Sequence, residues 1–368
     1  MSVVDIFLVV AGLVLLVGGG EALVRGASTL AVRAGISPLV IGLVVVSAAT
    51  SAPELAVTVG SVLSGVPDLA VGNVVGSNIA NILLILGISA LISPLVIKRQ
   101  LVRVDIPVMV GLSAALLIVS LDGQVSLFDG LLLLTVLVVH TVISIVVGRK
   151  EEIDPAAQID TLPLNAKPVP LWLAAVLLLV GIGLLVGGAQ LLVTGAVSIA
   201  TAFGVSSLVI GLTVVAIGTS LPELATSLIA LRKGETDMAV GNIVGSNIFN
   251  IGMVLGIPAI IFGDGIPVPE AAVAIDIPLM LAAAIALLPV AFTGFIVARW
   301  EGALFVGLYI AYTLFLVLNS TQHDAAGGFT NVMLWFVLPL VAITLIAMSS
   351  YEVGVLRERR SKQPSQLL

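Results

Sequence analysis

The chain has 368 residues, 59% of them hydrophobic and only 10% charged, and its mean hydropathy of +1.25 lies far above that of a soluble domain. A net charge of −6 gives no footprint for nucleic acid, and the absence of cysteine excludes disulfides, thiolate catalysis and cysteine metal sites. Apolar runs of about 20 residues recur throughout, each long enough to cross a bilayer as a helix. They lack the alternation that a β-barrel strand needs, so the expectation is an all-α polytopic membrane protein.

The first run, "MSVVDIFLVVAGLVLLVGG", resembles a signal peptide only superficially. It has no basic start, carries Asp5, and continues apolar toward residue 30, so it reads as a retained span. Eleven spans are expected, near 4–31, 38–65, 68–95, 104–121, 126–148, 169–200, 207–231, 237–262, 270–296, 301–318 and 331–350. The longest connection, 149–168, is too short for a domain, and 351–368 is a polar, basic tail. With the N-terminus outside, all 15 Lys and Arg fall at cytoplasmic positions: Arg25 and Arg33; Lys98, Arg99 and Arg103; Arg149, Lys150 and Lys167; Arg232 and Lys233; Arg299; and Arg357, Arg359, Arg360 and Lys362. Outer loops carry Asp68, Asp122, Asp264, Glu270 and Asp324. This positive-inside bias places the C-terminus in the cytoplasm, where the basic tail meets anionic lipid.

The chain repeats itself. "ISPLVIGLVVVSAATSAPELAVTVG" at 36–60 aligns without gaps with "VSSLVIGLTVVAIGTSLPELATSLI" at 205–229. "GNVVGSNIANILLILG" at 72–87 matches "GNIVGSNIFNIGMVLG" at 241–256, again offset by 169, and "LLVGGGEALVRGA" at 15–27 matches "LLVGGAQLLVTGA" at 184–196. "VDIP" at 104–107 resembles "IDIP" at 275–278 with two residues of slip. Each copy holds five spans. An odd number turns the second copy upside down, the inverted-repeat plan of secondary transporters, with substrate held at the midplane. The expected organisation is a first repeat at 1–148, a cytoplasmic linker at 149–168, a second repeat at 169–320, an added span at 321–350 and the tail at 351–368.

Glu54 and Glu223 fall near the middle of the second and seventh spans. A carboxylate at that depth is costly unless protonated, paired or bound to a cation, and no Lys or Arg lies at comparable depth. In "ATSAPE" and "GTSLPE" the proline favours a helix break, with one half-helix ending at 47–50 or 216–219 and the next starting at Ser51 or Ser220. Ser51 with Glu54, and Ser220 with Glu223, also fit a capping box, which is the purely structural alternative. On a helix, Asn73, Ser77 and Asn81 share one stripe, as do Asn242, Ser246 and Asn250. Gly72 with Gly76, and Gly241 with Gly245, would let neighbouring backbones approach closely. Helix packing alone is the alternative for these stripes, and for Asn73, Asn78, Asn242 and Asn247 it competes evenly with ligation. The inventory is oxygen only, which suits hard cations such as Ca²⁺ and Na⁺. His140 and His323 lie far from the motifs in sequence, which disfavours Zn²⁺ or Cu⁺. Glu21 is expected to pair with Arg25, and Asp105 and Asp276 to cap helices.

On "ATSAPE" with "GNVVGSNIAN", and "GTSLPE" with "GNIVGSNIFN", the sequence resembles the sodium/calcium exchanger family of cation/Ca²⁺ antiporters, over roughly 4–318. The resemblance implies ten core helices, alternating access by sliding of the first and sixth spans, and Ca²⁺ exchange against Na⁺. It implies no enzyme activity, no prosthetic group and no obligatory protein partner; H⁺ or K⁺ stand as alternative ions, and an H⁺-driven antiporter or a passive cation channel as alternative functions. Carried over by motif position, Glu54 and Glu223 would be the shared carboxylates. Thr50, Ser51, Thr219, Ser220, Ser77 and Ser246 would add hydroxyl or carbonyl oxygens, and Asn81 and Asn250 would complete the ring. The short 149–168 linker looks like the compact prokaryotic type, which would sit in the inner membrane. Many relatives have aspartate at Asn250, so this site would hold two negative charges rather than three.

Overall fold

A computed structural model describes residues 2–65, 67–148, 170–204, 216–263 and 265–361. The linker expected at 149–168, the start of the seventh span (207–215) and the end of the tail (362–368) lie outside the described residues. Ten described helices are long and apolar enough to cross a membrane. They are α1 (Val3–Ala34), α2 (Pro38–Leu63), α3 (Pro67–Ile92), α4 (Leu101–Asp122), α5 (Leu127–Val146), α6 (Leu171–Ala202), α8 (Thr236–Ile261), α9 (Ala272–Phe292), α10 (Arg299–Ser320) and α11 (Ala325–Met348). Between α6 and α8 runs α7, in two pieces, Ala216–Thr219 and Leu221–Arg232. The protein is an all-helical integral membrane protein built in two halves, and α11 stands almost wholly exposed beside α9.

Four short strands show how the halves are related. β1 (Leu95–Val96) pairs antiparallel with β4 (Ile296–Val297), and β2 (Gln124–Val125) with β3 (Ile266–Pro267). β1 and β3 are repeat equivalents, yet β1 pairs with β4, which lies across α9 from β3. Equivalent strands therefore sit on opposite faces, as inversion requires. Lys98, Arg99, Arg103 and Arg299 flank the β1–β4 sheet, so one face is basic; Asp122 and Glu270 flank the β2–β3 sheet.

The first and sixth spans form one antiparallel pair. α1 starts with a capping box, in which Ser2 Oγ accepts from the Asp5 amide at 3.2 Å and Asp5 Oδ2 accepts from the Ser2 amide at 2.6 Å. Gly12, Gly19 and Gly26 meet Gly188, Gly181 and Ala174. A Cβ on any of these three glycines of α1 would fall 2.6–2.8 Å from α6 backbone atoms. The spacing of seven keeps one face toward the partner, and the repeat carries it across unchanged: Gly12, Gly19 and Gly26 plus 169 are Gly181, Gly188 and Gly195. Each half thus supplies the same glycine seam, and the two backbones touch without intervening side chains.

The main core lies in the remaining helices, around Leu39, Leu43, Val74, Ile79, Leu86, Ile243, Ile248 and Leu255. There α8 packs against α2: a Cβ on Gly241 would fall 2.6 Å from the Leu39 carbonyl, and Gly245 abuts Leu43 and Ser47. The equivalent neighbours of Gly72 and Gly76 fall mainly at 208–215, outside the described residues. Several helices contain π-helical turns, and four of these form two repeat pairs: Ala80–Leu86 with Asn250–Leu255, and Leu101–Asp105 with Ala272–Asp276. Such turns are enriched at functional sites because the extra residue re-aims side chains. The first pair contains Asn81 and Asn250.

Candidate functional site

The site is built where α2 and α7 break. In α2 the helix ends at Thr50 and resumes at Ala52, with Ser51 at φ −80°, ψ −1°. In α7 it ends at Thr219 and resumes at Leu221, with Ser220 at φ −91°, ψ 7°. Pro53 and Pro222 lack the amide that would continue the ladder. The interruption is slight: the Ser51 amide still reaches Ser47 O at 2.9 Å, and the Leu55 amide reaches Ser51 O at 3.1 Å.

The capping boxes expected at these breaks do not form. Neither Ser51 nor Ser220 makes a side-chain cap bond, because each serine already has near-helical dihedrals and the backbone amides are satisfied by the ladder. Glu54 and Glu223 are both fully buried, one from each half, and among the described residues neither carboxylate has a hydrogen-bond partner. Isolated buried carboxylates are expensive, so this arrangement needs a proton or a cation.

The same broken helices and the helices packed on them carry further buried oxygens that lack partners among the described residues. Ser51 Oγ, Ser77 Oγ, Ser220 Oγ, Asn81 Oδ1 and Asn250 Oδ1 join the four carboxylate oxygens, nine in all. This donor set fits a hard cation, which takes about 6–8 oxygens, and among the described residues no group of three His, Cys, Asp or Glu forms an alternative metal centre. Thr50 and Ser246 are buried and meet across the halves, Oγ1 to Oγ at 3.4 Å, and Thr50 Oγ1 lies 3.3 Å from Asn242 Oδ1. Thr219 is half-buried and lines a cavity of 440 Å³ with Pro53, Pro222 and Gln190.

The remaining asparagines hold the scaffold. Asn73 Nδ2 donates to Thr58 Oγ1 at 3.1 Å, and its repeat mate Asn242 donates to Ser227 Oγ at 3.1 Å. Asn250 Nδ2 donates to Asn78 Oδ1 at 3.1 Å, which leaves the Asn250 oxygen free, while Asn78 Nδ2 donates to the Asn247 carbonyl at 3.3 Å. Sequence reading missed this orienting role of Asn78, and it missed Thr226, whose buried hydroxyl is also unpartnered. Thr226 lies three residues after Glu223, on the same helical face, and that spacing was the available signal.

Three further expectations are corrected. Asp105 and Asp276 are not caps: both sit in helical backbone. Asp105 Oδ1 instead meets His140 Nε2 at 2.8 Å, and Tyr312 donates to Asp276 Oδ1 at 3.1 Å. A buried acid finds its partner across helices because its own amides are taken up by the ladder. Glu21 pairs with Lys233 at 2.6 Å rather than with Arg25, because packing of α1 on α7 brings Lys233 closer.

Comparison with known proteins gives a consistent result. The family described as "Sodium/calcium exchanger protein" matches residues 4–146 and 173–318. A protein of Alkalimonas amylolytica named as an antiporter, CaxA, is 41% identical over 288 residues, 78% of this chain and 89% of its own. The inner membrane protein YrbG of Escherichia coli is 40% identical over 261 residues, 69% of this chain and 79% of its own. Solved structures of the sodium-calcium exchanger NCX_Mj superpose with a TM-score of 0.71 at 32% identity, covering 84% of this chain and 97% of that one; one was soaked with Na⁺ and Ca²⁺.

Proposed function

Because the chain belongs to the sodium/calcium exchanger family, and is therefore a membrane antiporter of the cation/Ca²⁺ exchanger type and not an enzyme, we propose that it exports Ca²⁺ in exchange for Na⁺. Glu54 and Glu223 are the carboxylates that both ions share. The observation that carries this reading is the pair of buried carboxylates, one from each inverted half, that lack hydrogen-bond partners and sit on helices whose neighbours also carry buried, unpartnered oxygens. Ser51, Ser77, Ser220, Asn81 and Asn250 supply further ligands, with Thr50, Ser246 and Thr219 at the margins. Cation loading is competitive: one Ca²⁺ or two Na⁺ neutralises the site, and three Na⁺ leave it at +1.

The basic face is cytoplasmic, which puts the N-terminus outside and the tail inside. The organisation follows: halves at 1–148 and 169–320, linker 149–168, an added span at 321–350 and a tail at 351–368. Likeness to a curated inner membrane protein supports a bacterial-type inner membrane as the location. The cavity beside Thr219 then opens on the outer side.

A second reading, H⁺-driven exchange, is favoured by the same buried carboxylates, since each can take a proton. Radiolabelled Ca²⁺ uptake into vesicles separates the two. An outward Na⁺ gradient at fixed pH drives uptake in the proposed mechanism; uptake under an outward H⁺ gradient alone, with none under Na⁺, assigns the proton.

A further inference from the structure

Inverted repeats predict matching crevices on the two sides of the carboxylates, and the crevices differ. On the outer side, α6 stands away from the second piece of α2, leaving the 440 Å³ cavity lined by Ala56, Val57, Val186 and Gln190. On the cytoplasmic side the equivalent space is filled by α1. A Cβ on Gly20 would lie 3.1 Å from Ile229 Cγ1 and 3.4 Å from the Ala225 carbonyl. Ala225 is the repeat equivalent of Ala56.

The charges that break the repeat lie at the closed crevice. Glu21 Oε1 meets Lys233 Nζ at 2.6 Å, and Ser28 donates to Glu235 Oε1 at 3.3 Å. The same connection is anchored to the core helices by Lys98 and Asp237, 3.0 Å apart. The positions equivalent to Glu21, Lys233, Ser28 and Glu235 are Gln190, Ser64, Val197 and Val66, none of them charged. One end of the first span is therefore tied by charge to the opposite half, and its counterpart is not.

We propose that Glu21 and Lys233, assisted by Ser28 and Glu235, form a cytoplasmic clasp that holds α1 against α7 and makes the outward-open arrangement the resting state. This rests on the sidedness and antiport reading above. Both are positioning residues, acting on access through α1 rather than on the cation. A partly exposed pair changes an equilibrium by a factor of about 5 or less. Between two states of nearly equal free energy that factor moves the population measurably.

The chain contains no cysteine, so single cysteines report access directly. Ala56→Cys and Ala225→Cys are labelled with a membrane-impermeant maleimide in right-side-out and inside-out vesicles. Ala56→Cys should label from outside and Ala225→Cys should resist labelling from the cytoplasmic side. Adding Glu21→Gln or Lys233→Gln should raise Ala225→Cys labelling about 3–5-fold and slow that of Ala56→Cys, and the charge swap Glu21→Lys with Lys233→Glu should restore both. Ile229→Cys replaces Ala225→Cys if the latter fails to insert. Unchanged labelling in both charge-neutral variants overturns the clasp, as does free labelling of Ala225→Cys in the parent background. Ca²⁺ flux in the same vesicles tests the antiport reading separately, because the labelling result stands whichever ion drives exchange.

Discussion

The crevice between α6 and α2 and the crevice between α1 and α7 are the same structure written twice, and only one of them is open. The helix breaks, the prolines and the glycine seam are common to both. The difference arises where the repeat is not kept, at Glu21 against Gln190 and Lys233 against Ser64. A protein made of two similar halves inherits two similar states. Which one it occupies is decided by a few residues outside the shared pattern.

The largest effect should come from the point where the crevices meet. Glu54→Gln and Glu223→Gln should each reduce Na⁺-driven Ca²⁺ exchange by about 100-fold or more, equivalent to about 3 kcal/mol of cation binding. Equal losses from the two sides would confirm a common centre. A variant retaining exchange would assign its glutamate to one crevice only.

Next comes the α1–α6 seam, where both halves carry the same glycine spacing. Gly19→Ala and Gly181→Ala place a methyl group against backbone, and overpacking of this kind costs about 1–3 kcal/mol. Gly183→Ala and Gly187→Ala meet nothing within 4 Å and should be neutral. Thermal unfolding in detergent should separate the two pairs, and equal behaviour would show that the helices are not held by backbone contact.

A smaller change should sharpen the comparison by reversal. Gln190→Glu with Ser64→Lys writes the clasp onto the outer crevice. Labelling of Ala56→Cys from outside should fall by about 3–5-fold, the range of a partly exposed pair.

The smallest effect concerns pH. Burial pushes Glu235 above the usual carboxylate range, against the opposing hydrogen bond from Ser28. A raised carboxylate contributes stability that is fully present below its unfolded value and is lost as pH rises through the folded one. Wild-type thermal stability should therefore decline slightly as pH rises above the ordinary carboxylate value, and Glu235→Gln should flatten that slope. An unchanged slope would place the titrating group elsewhere.

Much of this architecture was legible in the sequence because it is local or repeated. Span positions follow from apolar length, and inversion from an odd number of spans per copy. The phrases around Glu54, Glu223, Asn81 and Asn250 were found through their duplication. What escaped notice depends on pairing at long range. Nothing near Asp105 announces His140, which lies 35 residues away on another helix, and nothing near Glu21 announces Lys233. The capping boxes failed for a different reason. The motif Ser-x-x-Glu is compatible with a cap, but the break spans a single residue, the backbone amides remain bonded, and the side chains are left unpaired. The π-helical turns at Asn81 and Asn250 have no residue signature comparable to a proline, so nothing in the sequence marked them.

The central claim is that one carboxylate from each half binds the same cation. Calorimetric titration of the purified protein with Ca²⁺, in the presence and absence of Na⁺, tests it directly. The account predicts saturable Ca²⁺ binding that Na⁺ displaces and that is lost in both Glu54→Gln and Glu223→Gln. Ca²⁺ binding that survives in either variant, or that is indifferent to Na⁺, would contradict it.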